Sequence, residues 1–425
     1  MPHWLRPLVL WRVLTRPRTL SHSRKPFRRV RNQRSGVALL VAITTMLVLS
    51  VLVSELAYVA RVRFLIAYHQ RDEAQAYWLA RSGVNIYILL LSADKEIGSQ
   101  IESFAGDLGF DSLWQMVPVI NTGLMRMLFS TGGDVDDLSE EELAAFSQTG
   151  QVSDEVAAAS RDEGSSLFSD KNFLDFEGDF AAEVTDNEGK IDINQFEGFT
   201  GNIQDSATAQ LLFSRMNSEE DEAWFLERNI DRYEIIGNLA DWIDADNVRS
   251  SGLGGFEDNL YNVQEPPYLA KNAPLDTFEE IRLVEGWQDE VFNRYAADMT
   301  IWSNGKFNPG SFSKEMHIAV ITAYATATWT QEQVDALCFA DGMDDWGLAW
   351  YQGGSWKSAK EYAQDVQANC NGIELDTSQM PKFTDKSRVF TVTSTGLVGT
   401  SQTTITAVLD YTRNNTGDVV YWRVE

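Results

Sequence analysis

Apolar residues run without a charge from Val37 to Val53, seventeen positions reading VALLVAITTMLVLSVLV. Continued to Ala60, the stretch covers 24 positions with a single charge, Glu55. That is enough for a transmembrane helix, which needs about 20 largely apolar residues. The pattern then changes rather than stops. Ala76, Ala80, Gly83, Tyr87, Leu90 and Leu91 recur at steps of three and four, with Arg71, Asp72, Glu73 and Arg81 between them, the signature of an amphipathic helix. One helix from Val37 to about Leu91 would be roughly 80 Å long at ~1.5 Å per residue. Such a helix is too long to lie within a bilayer, so its first half is expected in the membrane and its second half against a globular domain.

The periodicity fades over 92–175. Asp134–Leu143 (DVDDLSEEEL) and Gln148–Ser166 are acidic and poor in large apolar residues, which predicts a loop or partly disordered insertion. A short apolar element near Leu113–Phe129 interrupts it. Alternation of apolar and polar residues begins at Phe180–Thr185 and resumes at Lys190–Asn194, across the turn Asp186-Asn-Glu-Gly189. The spacing predicts a β-hairpin. Helices are expected at 207–216, 219–229, 233–243, 278–284, 288–298, 331–339 and 358–367. Strand alternation returns at 389–396, 403–409 and 419–424. The fold class that follows is α+β: a long N-terminal helix packed on an antiparallel sheet whose strands come from both ends of the body, with a large inserted α-helical domain. The expected divisions are 1–36, 37–91, 92–175, 176–200, 201–375 and 376–425, the helical domain being 201–375.

Charge sharpens the picture of the N-terminus. Residues 1–36 hold ten of the 35 Lys and Arg and no acid, and the whole chain carries a net charge of −27. The body after Gly36 therefore sets 25 bases against 62 acids. A basic flank before the apolar helix and an acidic body after it orient the N-terminus to the cytoplasm and the body across the membrane. So acidic a body repels nucleic acid and invites divalent cations or basic partner surfaces. Hydropathy alone is equally satisfied by an ordinary single-pass anchor. A conventional secretory cleavage site is disfavoured, because the only glycine before Gly83 is Gly36, which precedes the apolar core. Cys338 and Cys370, in the exported part, are a candidate disulfide in an oxidising compartment, the alternative being two buried thiols.

The densest set of oxygen ligands is Asp241, Asp244 and Asp246, followed after a Gly-rich loop by Glu257 and Asp258. Calcium takes six to eight oxygens, mainly from carboxylates and carbonyls, so this set is a candidate calcium site, and a solvated acidic turn is the alternative. Asp186–Asp192 has some of the look of a calcium loop, but a hairpin turn explains it better. Leu283-Val-Glu-Gly286 between two short helices has the form of a phosphate-binding hairpin, but Glu279, Glu280, Glu285, Asp289 and Glu290 surround it and would repel a phosphate. Trp346, Trp350, Tyr351 and Trp356 are read as core rather than a sugar site. After Gly36 the only histidines are His69 and His317, and no nucleophile, base and orienting acid can be paired, so no catalytic residues are assigned.

Several motifs together resemble a known family. Arg34-Ser-Gly36 followed by Val37-Ala-Leu-Leu is similar to a type IV prepilin cleavage site. Gln75–Gly83, Asp186–Asn194, Leu239–Asp244, Lys271–Ile281, Phe307-Asn-Pro and the strands of Phe390–Asp410 follow in the order found in the minor pseudopilin K of bacterial type II secretion, general secretion pathway protein K. The resemblance covers about 37–91 and 180–425. It implies a pilin-like fold, cleavage by a prepilin peptidase between Gly36 and Val37 with methylation of the new N-terminus, and calcium in the helical domain. It also implies assembly with the I and J minor pseudopilins, with H and the major pseudopilin as further partners, at the tip of a periplasmic pseudopilus. Most pilins carry Glu at the fifth mature position; member K lacks it, and here the position is Val41. The leader of 36 residues is long for that family, and the acidic insertion has no clear counterpart in it.

The expected function is a non-enzymatic pseudopilin that initiates assembly or limits its length. Alternatives are a minor pilin of a type IV pilus, for priming or adhesion, or a membrane-anchored calcium-dependent binding protein or enzyme.

Overall fold

The computed structural model describes residues 35–105, 112–130, 176–196, 198–250, 254–339, 350–351, 354–370 and 372–425. The basic leader up to Arg34, most of the acidic segment (131–175) and Trp346 lie outside the described residues. Two units are distinguished, Met1–Ala67 and Tyr68–Glu425. Helix α1 (Ser35–Ala105) begins in the first. There its apolar side chains are solvent-facing, from Val37 at 68% to Phe64 at 68% exposed. Among the described residues it is the one helix long and apolar enough to cross a membrane. That is what a lipid-facing helix looks like without its lipid, and it fits a single-pass anchor.

In the second unit α1 acquires a buried stripe: Ala76, Leu79, Ala80, Val84, Tyr87 and Leu91. Beyond it come α2 (Leu113–Met116), β1 (Val119–Asn121) and α3 (Thr122–Ser130). Strand β2 (Asp179–Asp186) alternates exposed and buried residues without a break. The two-residue strand β3 (Ile191–Asp192) ends the first half of the sheet region. The helical region contains α4 (Ala207–Arg215), α5 (Glu219–Arg228), α6 (Arg232–Ile243), α7 (Asp258–Tyr261), α8 (Asp289–Tyr295), β4 (Met299–Thr300), α9 (Lys314–Tyr324), α10 (Gln331–Cys338) and α11 (Ala359–Asn369). Strands β5 (Val389–Val398), β6 (Ser401–Asp410) and β7 (Asp418–Val424) close the chain.

The sheet order is β1-β2-β5-β6-β7, antiparallel throughout. Phe180, Ala182 and Val184 of β2 pack with Phe390, Val392, Ile405, Ala407 and Leu409 against the buried stripe of α1. Helix and sheet touch closely at two glycines. A methyl on Gly83 would strike Ser394 and Ala182, and one on Gly396 would strike the Ala76 carbonyl. Tyr87 Oη donates to the Pro118 carbonyl at 2.7 Å, and Tyr411 Oη to the Ile88 carbonyl at 3.2 Å, which keeps the phenols satisfied inside a dry seam.

The helical region has a separate core around Trp287, Tyr261, Tyr295 and Phe225. Several of its helices start on side-chain caps. Ser218 accepts from Asp221 N–H, Asp231 from Tyr233 N–H and Ser313 from Met316 N–H, and Thr330 and Gln333 form a capping box. Such caps satisfy amide groups that the first helical turn leaves unpaired. Cys338 and Cys370 are joined by a disulfide, with Cα atoms 4.6 Å apart, tying the end of α10 to the end of α11.

Three expectations are corrected. The hairpin over 180–194 does not form: β2 pairs with β1 and β5, and β3 turns away to pair in parallel with β4. The alternation was real, but Ile191 and Ile193 are drawn into the helical core. Helix α1 runs on through Ser92 to Ala105 instead of ending near Leu91, whereas the short apolar element expected near Leu113–Phe129 is present as α2, β1 and α3. Helix α9 was not anticipated; Met316–Ile321 is buried on every side, so it has no polar face to reveal a period.

Candidate cation site

Helix α6 is buried from Ile235 to Ile243. It carries Asp241 in its last turn and ends on Asp244, whose extended backbone (ψ 174°) stops the helix. Asp244 Oδ1 accepts Asp246 N–H at 3.2 Å, and Asp246 Oδ1 accepts Val248 N–H at 2.8 Å. These successive turns reverse the chain, as Asp commonly does in loops. The loop folds back through a bridge between Val248 and Phe256 and a bond from Arg249 N–H to the Gly255 carbonyl at 3.0 Å. Ser250 N–H donates to Asp241 Oδ1 at 2.8 Å. Glu257 is thereby delivered to the end of α6.

One carboxylate oxygen from each of Asp241, Asp244 and Glu257 lies within 4.8 Å of the others. Glu257 is 1% exposed and Asp241 is 2% exposed. Both carboxylate oxygens of Glu257 are buried with no hydrogen-bond partner. Burial, and then Asp244 and Asp241, push the Glu257 carboxyl up to about 8. Burial pushes Asp244 up to about 6. Three converging carboxyls with two orphaned oxygens are unfavourable unless a positive charge joins them. The donor set is all oxygen, with neither His nor Cys, which suits a hard cation such as calcium and not zinc. The residues present fit a bound calcium ion.

Two of the five candidate ligands stand apart. Besides Asp246, already bonded to its own loop, Asp258 accepts Ala270 N–H and Asn247 Nδ2, each at 3.2 Å. Their carboxylates shape the loop and add negative potential. Asn272 was missed. It adopts a left-handed backbone (φ 51°), donates Nδ2 to the Asp246 carbonyl and leaves Oδ1 buried without a partner. Its place in the Lys271-Asn-Ala-Pro turn was visible, but nothing in the sequence placed that turn beside Asp246.

The remaining candidates sit elsewhere. Gly36 and Val37 are exposed in the first turn of α1. Val41 is 52% exposed, and its carbonyl accepts from the hydroxyls of Thr44 and Thr45 at 3.0 Å. Gly286 of the phosphate-hairpin look-alike is in the left-handed region and packs on Ile235. Trp350, Tyr351, Trp356 and Tyr362 ring the buried His317, whose Nδ1 lies 2.9 Å from Tyr362 Oη.

The fold and site define a class: an α+β protein with one membrane-length helix, an antiparallel sheet packed on that helix, and a helical region bearing an acidic cation-type cluster. Comparison with known proteins narrows it. Residues 189–304 match the family model described as type II secretion system (T2SS), protein K. The type II secretion system protein K of Klebsiella pneumoniae is 38% identical over 61 residues, 14% of this chain and 18% of that protein. The chain thus aligns with under a fifth of that relative's length. Among solved structures, a chain of the GspK-GspI-GspJ complex from the enterotoxigenic Escherichia coli type 2 secretion system is 15% identical. That alignment has a TM-score of 0.42 and covers 59% of this chain and 80% of the other.

Proposed function

We propose that this protein is a minor pseudopilin of a type II secretion system, a non-enzymatic subunit of the periplasmic pseudopilus. The observation that carries the reading is the protein K match at 189–304, on a chain whose apolar helix begins directly after Gly36. A prepilin peptidase cuts between Gly36 and Val37. Val37–Val53 then holds the subunit in the inner membrane, N-terminus inward and body in the periplasm, until assembly. The buried stripe of α1 keeps the sheet attached to that helix during extraction.

Val41 supports a position at the end of the assembly. A carboxylate here would need a positive partner in the bilayer, and a subunit with nothing above it has none. We therefore place the protein at the pseudopilus tip, with the I and J minor pseudopilins as neighbours and H and the major pseudopilin below. There it initiates assembly or limits length by the bulk of its helical region. Calcium bound by Asp241, Asp244 and Glu257 supplies the charge that holds Glu257 at the end of α6.

Mass spectrometry of the membrane-extracted protein tests the reading. An N-terminus at Val37 is expected; an intact leader, or a cut after Val53, would overturn it. Co-purification with the I and J pseudopilins from the same cells is the expected sign of tip assembly.

A further inference from the structure

A second buried acidic group lies where the sheet meets the helical region. Asp186 ends β2 at 5% exposure, and Glu188 follows it at 0%. The turn is bonded on every side. Glu188 N–H donates to Asp186 Oδ1 at 2.8 Å. Ser387 Oγ donates to Asp186 Oδ2 and accepts from Asn308 Nδ2 at 2.8 Å. Asn308 N–H donates to the Glu188 carbonyl at 2.8 Å, and Asn187 N–H to the Val389 carbonyl at 3.0 Å. A methyl on Gly189 would strike the Ser311 carbonyl, so the turn and the 308–311 segment are in direct contact. The two acids differ in support. Asp186 accepts from an amide and a hydroxyl, whereas Glu188 accepts only Arg388 N–H, on Oε1 at 3.2 Å, and its Oε2 is buried with no partner.

The charged groups near the turn are Lys95 from α1, Lys306 from the helical region and Lys190 from the turn itself, with Asp298 and Glu183 acting on Lys190. Burial lowers the pKa of both Lys95 and Lys190. Lys95 Nζ is 3.5 Å from Asp94 and donates to the Ser387 carbonyl at 2.7 Å. Arg388 meets Glu188 through its backbone N–H, while its Nη1 donates to the Tyr411 carbonyl at 3.0 Å. With lysines already beside the carboxyls, the turn is a poor place for a metal ion.

We propose that the Asp186–Glu188 turn is a proton-operated latch. With one proton held on the Asp186–Glu188 pair, both carboxyls stay dry beneath Asn308 and Ser387. When rising pH removes that proton, the second charge loosens the 307–312 segment of the helical region from the sheet. The direction of titration agrees: burial pushes both carboxyls up, and with Asp186 beside it the Glu188 carboxyl rises to about 8.

Hydrogen exchange of the full chain in detergent micelles tests this between pH 6 and 9, corrected for intrinsic exchange. Peptides covering 305–313 and 385–389 are expected to lose protection as pH rises from 6 to about 8, by up to about tenfold per pH unit while opening releases one proton, and to level off above that. Those covering 219–228 in α5 should stay level. Glu188→Gln, which keeps the shape and cannot ionise, is expected to flatten the profile. Asp186→Asn, which leaves one carboxyl facing the same cations, should do so too. A wild-type profile that is already flat overturns the latch, and so does a folded variant of either kind that keeps the wild-type slope.

Discussion

Two of the buried groups of acids each contain a glutamate whose carboxyl is pushed up to about 8. Their surroundings separate them. Glu257 shares its space with Asp241 and Asp244, and its neighbours add only negative charge. Glu188 has Lys95, Arg388 and Lys306 about it and Ser387 bonding its partner Asp186. The first arrangement suits a divalent cation and the second suits a proton. Burial alone does not decide how an acid is compensated; the donors and charges already in place do.

The comparison breaks most visibly at Glu257. Glu257→Ala should abolish the calcium-dependent rise in melting temperature of the purified protein, a stabilisation of about 2.7 kcal/mol when calcium stands at a hundredfold its dissociation constant. An undiminished shift between calcium and chelator would remove Glu257 from the site. Asp186→Ala should cost a similar amount, ~2–3 kcal/mol, by leaving the Glu188 amide and the Ser387 hydroxyl buried and unpaired. Its loss should be the same with calcium and with chelator, as thermal melts in both would read.

The pH dependence sharpens the contrast. Glu257 binds its proton more tightly in the folded protein than in the unfolded chain. Without calcium, its contribution is therefore complete below the ordinary glutamate range and is lost as pH rises through about 8. Calcium must displace that proton and the one on Asp244, held near 6. Affinity measured by calorimetry should thus climb between pH 6 and 8, by about tenfold per unit where one proton is released. The smallest effect is expected at Asp246. Asp246→Asn preserves an oxygen for Val248 N–H, so stability in calcium should change by under about 0.5 kcal/mol. A large loss would make Asp246 a ligand after all.

Legibility in the sequence followed periodicity. The apolar half of α1 announced itself as an uncharged run of membrane length, and β5 and β6 by the alternation of buried with less buried positions. Helix α9 did not, since Met316–Ile321 meets core on every side. At the acidic cluster, composition placed five carboxylates in one neighbourhood but could not say which converge. Asp246 and Asp258 turn to backbone amides, while Glu257 is carried to Asp241 by a loop whose path depends on the Val248–Phe256 bridge.

By itself the sequence determined the membrane-length apolar stretch, the candidate cut after Gly36, the acidity of the body and the positions of most of the helices and strands. Those are local properties, set by which residues follow which. Tertiary structure alone decided that the turn after β2 leads to a parallel partner from the helical region and not to a hairpin. It also decided that two glycines let α1 touch the sheet, and that one acidic group gathers only further acids while the other has lysines beside it. Pairing partners and the charges around a buried group come from residues far apart in the chain, and only folding brings them within reach.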